Sequence, residues 1–179
     1  AYLGGIDRTD RNGIIFIAPW GGFFDMARAT FGPTTTVTNL VATPANEYGG
    51  ALSPNEEWIA YTTPESGRNE VYALSLSGTR SRVPISSDGG EEAHWSASGR
   101  EIFYRTEDRL MSVTVQPGAQ LAPGKPILLF RGVYNLQSET GFSYDVDPKG
   151  DRFLMIRLAD DHANAPVTNV RVALGWLSR

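Results

Sequence analysis

Short runs rich in Ile, Val, Phe, Tyr and Thr alternate along the chain with clusters of Gly, Pro, Asn, Asp and Ser. No stretch repeats apolar residues at helical spacing without Gly or Pro interrupting it, so the pattern predicts antiparallel strands. The runs are "GIIFIAP" (13–19), "GFFDMARA" (22–29) and "TTVTNLV" (35–41), then "EWIAYTT" (57–63), "EVYALSL" (70–76) and "SRVPIS" (81–86). A third set reads "EIFYRT" (101–106), "RLMSVTV" (109–115) and "KPILLF" (125–130), and a fourth "RFLMIRL" (152–158) and "VRVALGWL" (170–177).

Phe16, Tyr61, Tyr104 and Met155 close corresponding strands at intervals of about 45 residues, the period of a four-stranded repeat. An isolated small sheet of this kind cannot bury both faces, so copies must stack. The expected fold is therefore all-β, a β-propeller or propeller fragment of four blade-like repeats, with a β-sandwich as the alternative. The repeats run approximately 1–45, 46–87, 88–131 and 132–179 within a single domain 1–179.

Three of the repeats carry a recognisable turn between an inner strand and the apolar strand after it: Ser53-Pro54-Asn55-Glu56, Ser96-Ala97-Ser98-Gly99 and Asp147-Pro148-Lys149-Gly150. The leading Ser or Asp can accept backbone hydrogen bonds, and Gly99 and Gly150 suit a positive φ that Glu56 adopts less comfortably, unless it changes the turn type. Beyond the turn, Ile59 and Tyr61, Ile102 and Tyr104, or Phe153 and Met155 share one face. Ala60, Phe103 and Leu154 lie on the other. Apolar residues on both faces fit a sheet buried between neighbours.

These residues resemble the TolB-type propeller repeats, whose signature is Trp-Ser-Pro-Asp-Gly followed by an Ile-Ala-Phe or Ile-Ala-Tyr strand. The likeness rests on residues 46–78, 88–115, 144–156 and 170–177, and is nearest to C-terminal propellers attached to bacterial serine/threonine kinases and transcriptional regulators. No copy has the full Ser-Pro-Asp-Gly turn, and Gly175 stands where relatives tend to have Asn. The kinase and DNA-binding modules of those relatives are not in this sequence, so no such activity is implied. The resemblance implies a ring with more blades than four. For the last repeat it leaves two routes: "AYLGGI" at the N-terminus supplies the missing strand, or the ring stays open and its edges invite a second copy.

Charge and composition narrow the chemistry. Sixteen Lys and Arg against 20 Asp and Glu give a net charge of −4 over 179 residues, without the basic footprint expected of a nucleic-acid partner. The chain has no Cys, which removes disulfides and thiolate metal sites. Its most apolar stretch, 13–24, is interrupted by Pro19 and is too short to span a bilayer, so no membrane insertion is expected, and no signal peptide is visible. Ala1 in place of Met fits a processed product or a piece of a longer chain.

No Gly-x-Ser-x-Gly elbow occurs, and His94 and His162 are the only histidines. His94 and Ser96 fall on one strand face, where the repeat already explains both. Asp145, Asp147 and Asp151 loosely imitate a calcium loop but coincide with the repeat turn. Asp160, Asp161 and His162 fit a solvated loop. No catalytic residue, metal or cofactor is expected. The candidate ligand site is the channel mouth, where the loops before the inner strands would gather Glu47, Tyr48, Glu91, Glu92, His94 and Tyr144. An acidic, aromatic-edged mouth suits a cationic or peptide ligand. The expected function is a non-catalytic protein- or peptide-binding module, with a possible homodimer through open blade edges; a hydrolase or lyase using the same mouth is the alternative.

Overall fold

Alternating β-branched and aromatic residues, punctuated by turn formers, give strands throughout the structure. A computed structural model describes residues 4–8, 13–20, 22–116, 120–134 and 142–156. Among these residues every regular element is a strand: β1 (Gly4–Arg8), β2 (Gly13–Trp20), β3 (Phe23–Thr30), β4 (Thr36–Val41), β5 (Tyr48–Leu52), β6 (Trp58–Thr63), β7 (Glu70–Ser75), β8 (Arg82–Pro84), β9 (Glu91–Trp95), β10 (Glu101–Thr106), β11 (Arg109–Gln116), β12 (Ala122–Pro123), β13 (Ile127–Arg131), β14 (Tyr144–Val146) and β15 (Phe153–Met155). They pair in chain order as β1-β2-β3-β4, β5-β6-β7-β8, β9-β10-β11 with β12 and β13 both on β11, and β14-β15. All pairings are antiparallel. The fold is all-β and propeller-type.

β1 corrects one expectation. Gly4–Arg8 pairs with β2 as the inner strand of the first sheet, so residues 4–8 are not the strand that completes the last one. Its short link to β2 makes a local hairpin easier to form than a ring-closing contact. The expected strand at 125–130 starts at Ile127, after Pro126, which has no N–H to donate. "VRVALGWL" lies outside the described residues.

Successive sheets pack through three apolar clusters. Ile15, Met26, Leu40 and Val41 of the first sheet meet Ile59, Tyr61 and Leu74 of the second. Trp58, Ala60, Val71 and Ala73 on the second sheet's other face meet Ala93, Ile102, Tyr104 and Val113 of the third. Phe103 and Leu110 meet Tyr144, Phe153 and Met155 of the fourth. The two-faced alternation of the central strands thus makes the second and third sheets spacers between their neighbours.

The inner strands share a further feature. Register slips between Gly4 and Asp7, between Tyr48 and Ala51, and opposite Phe103 and Arg105 on β9. A bulge of this kind kinks a strand and re-aims its side chains. The turns after the inner strands are equally regular, since the Glu56, Gly99 and Gly150 N–H groups donate to Ser53, Ser96 and Asp147 carbonyls at 2.8, 2.9 and 2.8 Å. Their φ angles are 56°, 67° and 75°, so Glu56 adopts the left-handed conformation and the turn type is kept.

Candidate functional site at the sheet junctions

The six candidate residues divide between two junctions. Glu47 and Tyr48 lie at the entrance to β5, whereas Glu91, Glu92 and His94 lie on β9 and Tyr144 opens β14. Glu47, Tyr48, Glu92 and Tyr144 are buried; Glu91 and His94 are half-buried. Glu91 and His94 are thus the two of the six that keep some exposure, although Glu91 Oε2 and His94 Nε2 are themselves buried atoms.

At the junction of the third and fourth sheets, Glu92 sits in the β9 bulge with φ 55°. Its Oε2 accepts hydrogen bonds from the Ser143 N–H at 2.8 Å and the Ser143 hydroxyl at 2.7 Å. Arg105, 1% exposed, donates through Nη1 to the same Ser143 Oγ and through Nη2 to the Tyr134 carbonyl at 3.5 Å. The Tyr144 hydroxyl donates to the Glu92 carbonyl at 2.8 Å, and burial, with the nearby Glu92 charge, holds that phenol well above its ordinary pKa. The His94 ring packs against Phe142 and Tyr144 with centroids 4.3 and 4.5 Å apart. This junction therefore combines a buried polar tie with an aromatic edge that remains partly open.

Glu47 occupies the junction of the first and second sheets and is 0% exposed. Its N–H donates to the Phe24 carbonyl at 2.7 Å, its carboxylate accepts from the Thr43 hydroxyl, and Oε2 has no hydrogen-bond partner. Burial pushes its carboxyl up to about 7, with the Asp25 charge adding to the effect while Thr43 and Arg82 oppose it. Burial also raises the Asp25 carboxyl.

Between the second and third sheets, buried Glu70 accepts from the Arg68 guanidinium at 2.7 Å, the Gly89 N–H at 3.1 Å and the Ser86 hydroxyl. An open groove of about 530 Å³ beside it is lined by Arg68, Tyr72, Pro84 and Ser87 among others.

The remaining sequence candidates have structural work. Ser96 Oγ accepts the Glu101 N–H at 3.1 Å within its turn. Asp147 binds Arg152 through Oδ2 at 2.6 and 2.9 Å and the Lys149 and Asp151 N–H groups through Oδ1 at 3.1 and 3.3 Å. Among the described residues no three His, Asp or Glu side chains are grouped to hold a metal. Asp160, Asp161 and His162 lie outside those residues. No helix among them is long and apolar enough to cross a membrane.

Sequence reasoning missed Asp25, Arg105 and Ser143. A signal existed for Arg105: with the repeat turns aligned, it stands where the second repeat has Thr62 and the fourth has Ile156. Asp25 had no such signal.

No protein-family model and no curated protein matches the sequence. Solved structures do share the fold. TolB from Acinetobacter baumannii superposes with a TM-score of 0.58 at 14% identity, over 84% of this chain and 37% of that one. A protein described as TolB from Agrobacterium tumefaciens gives 0.51 at 16% identity, over 71% and 50%. A protein described as a 6-phosphogluconolactonase from Bacteroides uniformis gives 0.56 at 14% identity, over 86% and 47%. The chain thus spans half or less of the length of each neighbour, and the likeness is one of TolB-like propeller fold.

Proposed function

We propose that the chain is a non-catalytic interaction module of TolB-like propeller blades that takes a protein or peptide at the inner rim between the third and fourth sheets. The observation that carries this reading is the division among the β9 side chains. Glu92 is committed to Ser143, whereas Glu91 and His94 remain half-buried, and the His94 ring packs on that of Phe142. A carboxylate and a ring-stacked imidazole on one short strand favour a basic or aromatic peptide side chain. The roles of Ser53, Ser96 and Asp147 within turns support the same reading, because they account for residue types that could otherwise suggest chemistry. Nucleic acid and membrane insertion have no part in it. Attachment to larger bacterial proteins such as kinases or regulators is the context we infer, and association of two copies through open blades is compatible with it.

The test is fluorescence anisotropy with labelled Lys/Arg-rich and acidic peptides, on the wild type and on a Glu91→Gln/His94→Ala double variant. Glu92 is left intact because its loss would disturb the fold. Binding of the basic peptides, weakened at least about tenfold in the variant, supports the module. Equal binding by both proteins sinks the assignment of the rim. Hydrolase or lyase turnover that collapses in the variant would replace the module with an enzyme at the same place.

A further inference from the structure

The chain from Val41 to Tyr48 links the first sheet to the second and crosses the tip of the β2–β3 hairpin. Both backbone groups of Phe24 are taken by this strap: its carbonyl accepts the Glu47 N–H at 2.7 Å, and its N–H donates to Asn46 Oδ1 at 3.0 Å. Two buried carboxyls belong to the same two segments. Glu47 is 0% exposed and Asp25 is 5% exposed, and Glu47 Oε2 and Asp25 Oδ1 have no hydrogen-bond partner among the described residues. We propose that residues 43–47 form a proton-controlled clamp on the β2–β3 hairpin, closed while Glu47 is protonated and loosened when it ionises.

The groups around Glu47 explain why ionisation is costly. Asp25 approaches from β3 with like charge, Tyr61 from β6 is kept neutral by burial, and Thr43 supplies one hydroxyl. Among the described residues Arg82 from β8 is the cation that acts on Glu47: its Nη1 pairs with Glu65, its Nε and Nη2 are buried without a hydrogen-bond partner, and the guanidinium lies 3.8 Å from the Tyr72 ring centroid, yet its pull is outweighed by burial. An ionised Glu47 would therefore be a buried charge with one unsatisfied oxygen and a carboxylate neighbour, a state relieved by admitting water. Lifting the strap admits it and breaks the two bonds to Phe24.

The functional consequence concerns the hairpin tip. Phe23 and Phe24 are already 40% and 42% exposed, so a released hairpin would present these aromatic rings differently on the face that carries the inter-sheet loops. The direction follows from Glu47 having a higher pKa folded than unfolded. The clamp is complete below the ordinary value of 4.5 and is lost as pH rises through about 7. This inference is independent of the rim at Glu91 and His94.

Hydrogen exchange at pH 6 and pH 8, corrected for intrinsic rates, tests it on segments covering 22–26 and 44–48. Wild-type protection should fall at least about tenfold at the higher pH, and Glu47→Gln should show no such fall. Asp25→Asn removes the like charge and should move the wild-type midpoint to lower pH, which gives a second readout if Glu47→Gln folds poorly. Unchanged wild-type protection, or the same fall in Glu47→Gln, would overturn the clamp. So would restored protection at pH 8 on adding millimolar calcium, which would make the pair a cation site.

Discussion

Glu92 holds a left-handed backbone at a position where the second repeat has Gly49, with φ 55° and 59° respectively. The aligned position in the first repeat is Gly5. A side chain there costs about 1–2 kcal/mol relative to glycine, so something must offset the strain. The two hydrogen bonds to Ser143 do so, because a buried carboxylate accepting two donors contributes about 1.5–3 kcal/mol per bond. Glu92→Gly should therefore relax the backbone yet destabilise the fold by about 1–3 kcal/mol, read as a lower urea midpoint with an unchanged slope. A variant as stable as the wild type would mean that the junction gains nothing from these bonds. Aligning the repeats marks Glu92 as unusual but does not say why. Its partner Ser143 lies 51 positions away, and no local pattern announces a contact at that range. The sequence placed Glu92 at a ligand-facing mouth because it could not reveal the burial that the bulge imposes.

At the scale of elements, the central strands were legible because two-residue alternation and the repeated turn agree with each other. β10 spans the residues the pattern predicts, and β6, β7 and β11 differ from it only at their ends. Inner strands were harder to read: β1 and β5 are rich in Gly and carry bulges that break the alternation. The approach to β9 shows what such glycines do. Gly90 stands where the second repeat has Glu47, and a Cβ there would lie 2.7 Å from Ser86 Oγ and 3.0 Å from Tyr104 Cδ2. Ser86 is held by Glu70 and by the Val71 N–H, and Tyr104 is buried in the core between the second and third sheets, so neither yields easily. Gly90→Ala should cost about 1–3 kcal/mol, seen as a lowered thermal midpoint, and Ser86→Ala/Gly90→Ala should recover only part of it. Full tolerance of Gly90→Ala would show that the β9 approach is free to shift.

At the scale of the whole molecule, each described sheet owes its stability to a neighbour, since every apolar cluster is shared across a junction. Such an array is stabilised by its interfaces, and its outermost faces are where the arrangement is incomplete. On the fourth sheet Leu154 and Ile156 are 40% and 49% exposed, and they align with Phe103 and Arg105, the positions through which the third sheet contacts the fourth. These residues therefore present to solvent the kind of face that another sheet covers elsewhere in the chain. Among the described residues β1 belongs to the first sheet, and none of the three apolar clusters places a residue on this face. A second copy is the simplest occupant to test, because each copy brings its own propeller-type sheets. Light scattering over increasing concentration should show a mass rising from 19.5 kDa toward twice that value, and Leu154→Lys/Ile156→Lys should hold it at one chain. A wild-type mass that stays at one chain up to millimolar concentration would mean that this face is not self-complementary.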